Sequence, residues 1–547
     1  MPPLTMNRRA FVDASLAGGL ALWLGRGRRP ASRLADARIE VLLDEPIGMI
    51  APEIYGHFTE NLGGVIYDGV WVGQDSAVPN VHGVRKALVD ALARIKPSVI
   101  RWPGGCDADA YDWRDGVGPA GRRPRRTNFW ADDPALASLG NVPARFDPNQ
   151  FGTGEFLHFC RLVGAEPYLA ANVRMLPARV FEQWVEYCNA PAGSTTWADV
   201  RAAAGDRDPY GVRFWGIGNE AWGCGGNFTP EEYAEEFRRF ATWGVPRYGV
   251  DLAYVASGPS GGDIEWTRRF FSAMAERRAL GTVWGWSLHH YSSADGPGAD
   301  AVAFDDRGWY DLLASADRMD ALLAAHWEQM GVTDRKHHVK LVVDEWGAWH
   351  TSAPAGGPSH LFESQSTIRD ALVAGLTLDT FNRNAEKVAM ANVAQLVNCI
   401  QSLFLAHEDR FVVTPVYHVF AMYAAHQGAQ ALRTMVSAPR VSWSAKDGNP
   451  RTLWGLAGSA SRQGRAITLT VTNPSLSAAR EAEIVLRGGA PASVRVTTLA
   501  ARDVHDVNTF DRPDTVRPAT VDVVVSGPTL IYRFPPASVT KLELAVG

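Results

Sequence analysis

The run Arg213-Phe-Trp-Gly-Ile-Gly-Asn-Glu220 decides the fold, together with a second of the same build, Val339-Lys-Leu-Val-Val-Asp-Glu345. Both are short, rich in Val, Ile, Phe and Trp, and flanked by turn formers, so they are expected to be buried strands that deliver a carboxylate at their C-terminal ends. Barrels of parallel strands keep their chemistry at that end. Outward from these two, apolar runs alternate with amphipathic stretches from about residue 50 to about 430. The runs expected to be strands are Ile54 to Glu60, Val99 to Pro103, Pro167 to Val173, Arg213 to Glu220, Ala253 to Gly258, Val283 to Tyr291, Lys340 to Trp346 and Val388 to Gln395. The intervening segments supply helices: Val84 to Ile95 has apolar residues at helical spacing, and Thr229-Pro-Glu-Glu232 offers an N-cap, a proline at N1 and acids in the first turn. Repeated strand-helix units of this kind predict an α/β chain folded as a (β/α)8 TIM barrel over residues 49–431.

After about residue 432 the texture changes to period-two alternation, as in Ala466 to Thr472, Glu481 to Leu486 and Ser493 to Thr497, punctuated by Gly, Pro and Asn. Residues 432–547 are therefore expected to form an antiparallel, jelly-roll-like β-sandwich. The strand-like stretch at 38–48 has no natural place in the barrel and is expected to join the sandwich. Residues 1–37 have the build of a twin-arginine signal segment: Arg8-Arg9 precede an apolar stretch from Ala14 to Leu24, and Ala35-Asp36-Ala37 offers a cleavage site. The expectation is export to the periplasm or beyond, with the cytoplasm as the alternative if Asp13 and the thin hydrophobicity spoil the signal.

Hydrophobic content of 46%, charged content of 21% and a formal charge of −5 describe a globular chain with no bias toward nucleic acid. The basic run Arg122-Arg-Pro-Arg-Arg126 lies in a Gly/Pro-rich stretch and is expected to be a solvated loop. No segment is long and apolar enough to be expected to span a membrane. Five cysteines cannot all pair, and none has Cys-x-x-Cys spacing for zinc, which points to free or partly free thiols.

A carboxylate placed beside tryptophans loses hydration and tends to hold its proton, whereas one held by hydrogen bonds stays ionised; such a pair at neutral pH fits glycoside hydrolysis. A metal at His289-His290 is disfavoured because adjacent strand residues face opposite ways, and His337-His338 precedes the seventh strand, at the far face of the barrel.

Five ordered motifs make the reading specific. Ile54-Tyr-Gly-His-Phe-Thr-Glu60, Arg101-Trp-Pro-Gly-Gly105, Trp215-Gly-Ile-Gly-Asn-Glu220, Val343-Asp-Glu-Trp346 and Ala389-Met-Ala-Asn-Val-Ala-Gln395 resemble successive motifs of the α-L-arabinofuranosidases of glycoside hydrolase family 51. The resemblance implies an exo-acting, retaining enzyme that releases terminal arabinofuranose by double displacement, without metal or cofactor. It makes Glu220, after the fourth strand, the acid/base and Glu345, on the seventh, the nucleophile. It further implies that Asn219 binds the sugar 2-hydroxyl, that Glu60 and Gln395 hold other hydroxyls, and that Arg101 fixes the nucleophile. Tyr291 would donate to the nucleophile or the ring oxygen with His289 beside it, Cys106 would lie beside the sugar, and Trp102 and Trp346 at the pocket wall unless they are barrel core. Partners implied are arabinofuranose-containing glycans and further copies of the chain, a hexamer being common in the family.

Two departures touch sugar identity. The family usually carries Glu-His after the first strand where this chain has Glu60-Asn61, and an aromatic where this chain has Asp107. Asp107 and Asp109 are expected to add negative charge at the pocket mouth. The alternatives are a related retaining glycosidase acting on another furanoside or a β-glucan, and a catalytically silent carbohydrate-binding protein. Retention of both Glu220 and Glu345 argues against the last.

Overall fold

The computed structural model describes residues 35–133, 145–242, 245–351, 360–525, 527 and 529–546. The twin-arginine pattern and its apolar stretch therefore lie outside the described residues.

Eight parallel strands close into a barrel: Gly56–Phe58, Val99–Trp102, Glu166–Ala171, Phe214–Ile217, Ala253–Ala256, Gly285–Ser292, Lys340–Ala348 and Val388–Val393, the last pairing with the first. Each lies within or across one of the apolar runs of the sequence. The first is shorter than its run because Pro52 opens a 3-10 turn over Pro52–Tyr55. The fourth stops at Ile217 because Gly218 and Glu220 both have positive φ, 80° and 40°, and leave the extended region.

Alternation along the strands separates two sets of side chains. Val99, Tyr168, Phe214, Ala253, Val255, Val342 and Met390 fill the barrel interior. Their neighbours, among them Ile100, Trp102, Trp215, Trp286, Leu341 and Trp346, face outward and pack under the surrounding helices in the main core. Burial of each such large side chain contributes about 1.5–3 kcal/mol. Helix Pro230–Phe240 shows how the shell is set locally: Thr229 accepts from the Glu232 N–H, Glu232 answers to the Thr229 N–H, and Pro230 stands at N1.

The C-terminal region is one curled nine-stranded sheet that encloses its own core. Its order is Ala519–Val523, Pro491–Ala500, Ser538–Val546, Ala466–Asn473, Ala457–Gln463, Gln430–Ser437, Ala37–Met49, Arg480–Arg487 and Thr529–Phe534. All pairings are antiparallel except that of Ala37–Met49 with Arg480–Arg487. Helix Ile368–Arg383, buried almost all round, joins barrel to sheet: its Asp379 accepts from Ser459 and Thr470, and its Asn382 donates to Ser459. Among the described residues no helix is long and apolar enough to cross a membrane.

Candidate active site

Three levels stack inside the barrel toward the C-terminal ends of its strands. Above the apolar interior lies a polar layer centred on Asp344, whose carboxylate accepts from Tyr168 at 2.9 Å and Ser287 at 2.5 Å. Arg101 Nε lies 3.6 Å and His289 Nε2 3.2 Å from the same carboxylate. Burial would raise the Asp344 pKa, but the Arg101 and His289 cations outweigh it and hold the group well below its usual range. This buried anion in turn fixes the two cations that organise the layer above.

Arg101 uses its planar fork: Nη1 donates to Glu345 Oε1 at 2.8 Å and Nη2 donates to Asn219 Oδ1 at 2.7 Å. Tyr291 donates its hydroxyl to the other Glu345 oxygen at 2.9 Å. The Glu345 carboxylate is thus held at both oxygens. His289 Nδ1 stands 2.9 Å from Glu220 Oε1 and 3.5 Å from Glu345 Oε2. Burial alone would lower the His289 pKa, but Glu345, Asp344 and Glu220 together raise it to about 10, so the ring is a cation at neutral pH. It bridges two acids whose nearest oxygens lie within 4.8 Å of one another.

Glu60 and Gln395 close the opposite wall. Gln395 Nε2 donates to Glu60 Oε2 at 3.1 Å, and the Asp107 backbone N–H donates to Glu60 Oε1 at 3.0 Å. Burial and the charge of Glu345 raise the Glu60 pKa to about 8. Gly105 lines the space between them: a Cβ there would fall 2.9 Å from Glu345 Oε1 and 3.2 Å from Glu60 Oε2. The loop before Glu220 is held from below by Asp109, which accepts from the backbone N–H groups of Val173, Arg174 and Asn219. Glu220 itself, at φ 40°, occupies the left-handed region, a conformation costing about 1–3 kcal/mol that this scaffold enforces.

The structure thus brings Glu60, Arg101, Asn219, Glu220, His289, Tyr291, Glu345 and Gln395 into one cluster. Trp102 and Trp346 are not in it. Each neighbours an inward residue, so each faces outward: Trp102 stacks on Phe156 and Trp346 on Phe420. His290 likewise turns away and meets the Ser315 carbonyl. Cys106 is no free thiol beside a sugar; it is bonded to Cys224, whose Sγ lies 3.7 Å from Glu220 Oε2. Cys160, Cys188 and Cys399 are free and buried. Asp107 and Asp109 do not charge the pocket mouth. Both are buried, and burial raises their pKa, that of Asp109 to about 7. Asp344 and the partner cysteine are the parts of the site that the sequence does not announce, and Asp109 serves backbone N–H groups in place of the expected charge at the mouth.

Two family models match the chain: the α-L-arabinofuranosidase 1 domain over residues 91–261 and the α-L-arabinofuranosidase C-terminal domain over residues 344–538. An intracellular exo-α-L-arabinofuranosidase of Bacteroides ovatus is 34% identical over 93% of this chain and 96% of its own length. The crystal structure of the GH51 arabinofuranosidase from Xanthomonas axonopodis pv. citri is 35% identical, covers 93% of this chain and 100% of its own, and superposes with a TM-score of 0.85. That of the Thermotoga maritima α-L-arabinofuranosidase arabinose complex is 28% identical, with the same two coverages and a TM-score of 0.80. The Bacteroides relative overturns the expectation of export, since it is named as intracellular and matches nearly the whole chain. The physical weakness of the proposed signal is the acid Asp13 at the edge of an apolar stretch that is itself thin.

Proposed function

The chain belongs to the α-L-arabinofuranosidases of glycoside hydrolase family 51, and from that premise we propose that Glu345 is the nucleophile and Glu220 the acid/base of its exo-acting, retaining reaction. The observation that carries the assignment is the pair of carboxylates brought within 4.8 Å around His289. That approach suits retention, for which the two carboxyl groups stand about 5–5.5 Å apart, against about 6.5–9.5 Å for an inverting pair.

In the first step Glu345 attacks the anomeric carbon of a terminal arabinofuranose while Glu220 gives its proton to the departing oxygen. In the second, Glu220 takes a proton from water, which displaces Glu345 from the ester. Arg101 and Tyr291 aim the nucleophile. Asn219, held by Arg101, faces the 2-hydroxyl, and the Glu60–Gln395 pair takes other ring hydroxyls. Arabinofuranose-containing glycans are the substrates on this reading, and assembly into a homo-oligomer goes with it.

The roles are tested by two variants. Glu345→Ala should abolish turnover of every substrate. Glu220→Ala should lower kcat on natural arabinosides by about 10²–10⁴-fold yet spare 4-nitrophenyl arabinofuranoside and respond to azide. Equal losses on both substrates, with no azide rescue, would reverse the assignment. Light scattering on the full chain settles the oligomer.

A further inference from the structure

Outside the catalytic cluster, one group of side chains converges without a task in the reaction. Asp68 follows the first barrel strand, His360 follows the seventh and His407 follows the eighth. His360 Nε2 lies 3.3 Å and His407 Nδ1 3.0 Å from the same oxygen, Asp68 Oδ2, and all three atoms fall within 4.8 Å of one another. In a tetrahedral zinc site, with bonds of about 2.0–2.1 Å, ligand atoms stand about 3.3 Å apart. The two distances to Asp68 Oδ2 are those of such a shell, and the two histidines lie within 4.8 Å of one another.

We propose that Asp68, His360 and His407 form a site for a single divalent transition-metal ion of the zinc class, binding through Asp68 Oδ2, His360 Nε2 and His407 Nδ1, with water as the fourth ligand.

The surroundings prepare these atoms. Asp68 Oδ1 accepts from the Glu408 backbone N–H at 2.7 Å and lies 3.4 Å from Arg85 Nη2, which turns Oδ2 toward the histidines. The His360 ring lies flat on the backbone of Gly64, where a Cβ would fall 2.3 Å from its Cδ2, so any larger residue at 64 would push the ring out of the site. Asp68 and His407 are part exposed, at 27% and 33% of their side chains, which leaves an approach for an ion and its water.

An ion here would tie three barrel loops to one another. Leu361 and Phe362, next to His360, pack with Leu62, Val65 and Cys399 in a cluster that also holds Tyr291, the donor to Glu345. The site is thus a clasp on the wall of the pocket, at one remove from the reacting atoms. It is separate from the Glu220, His289 and Glu345 group and from the pair of cysteines beside Glu220, the other two places among the described residues where ligand atoms converge.

Zinc chloride titrated calorimetrically into chelator-treated, full-length protein tests the proposal. The expected result is one equivalent bound and a rise in Tm, with turnover preserved. His407→Ala, with His360→Gln as a second variant should the first misfold, should weaken binding at least 100-fold and remove the Tm rise. Cobalt(II) bound at the same site should give visible d–d bands without sulfur-to-metal charge transfer. No saturable binding to the wild type would overturn the proposal. So would binding unchanged in both variants, or zinc inhibition that disappears in Glu220→Gln, since each places the ion elsewhere.

Discussion

His289 Nδ1 stands closer to Glu220, at 2.9 Å, than to Glu345, at 3.5 Å, so the cation is shared unequally between the two acids of the pocket. Its pKa of about 10 lies above the unfolded value of about 6.5. A raised pKa means that the folded state holds the proton more tightly. The resulting stabilisation is complete below about pH 6.5 and is lost as pH rises through about 10. Thermal unfolding of wild type and His289→Asn between pH 6 and 10 should therefore converge at the alkaline end. Parallel curves would show that the ring is not held as a cation.

Arg101 joins Asn219 to Glu345 through two nitrogens of one rigid plane. Lysine carries the charge and three donors, but on one nitrogen without the planar fork, so Arg101→Lys cannot hold both partners in their present positions. We expect kcat/KM to fall about 10²-fold, the cost of misplacing a reacting group by about 1 Å. Steady-state kinetics with a circular dichroism check of folding decide it; a loss below tenfold would mean that the fork is not needed.

Gly105 leaves open the space between Glu60 and Glu345. The φ of this residue is −73° but its ψ of −122° lies outside the regions open to residues with a Cβ, so Gly105→Ala strains the backbone as well as filling the space. We expect a Tm lowered through about 1–3 kcal/mol of backbone strain and a KM for aryl arabinofuranosides that rises about tenfold or more, equivalent to about 1.4 kcal/mol. Unchanged KM would move the sugar away from this wall.

The Cys106–Cys224 bond ties the loop after the second barrel strand to that after the fourth, against Glu220. Replacing both cysteines by serine should cost about 2–4 kcal/mol of stability. It should also slow substrates with poor leaving groups more than 4-nitrophenyl arabinofuranoside, because the sulfur borders the proton donor. Denaturant unfolding and a leaving-group series measure the two effects separately.

The barrel was legible because each strand is an apolar run closed by turn formers, and Glu220 and Glu345 because each lies near the end of such a run. Trp102 and Trp346 could have been excluded from the pocket by the period of two, since Arg101 and Glu345 beside them must face inward. The same rule conceals Asp344. It and Glu345 are consecutive, yet both are buried in the site, because pairing with the eighth strand is irregular between Val343 and Trp346. The acids Asp107 and Asp109 suggested a charged mouth because sequence gives charge without burial; Asp109 in fact serves three backbone N–H groups. The disulfide joins residues 118 apart, and no local pattern announces such a pairing.

Strand Ala37–Met49 is synthesised long before its two neighbours in the sheet, Gln430–Ser437 and Arg480–Arg487. A ribosome adding about 5–20 residues per second needs roughly 20–80 seconds to cover the roughly 400 residues between them. For that interval, with the last barrel strand, Val388–Val393, made only near its end, the strand has both edges unpaired. Its apolar side chains Ile39, Val41 and Leu43 then face water or a chaperone. On a polysome, several such waiting strands are present together, and the first danger to this protein is therefore one nascent chain pairing with the next.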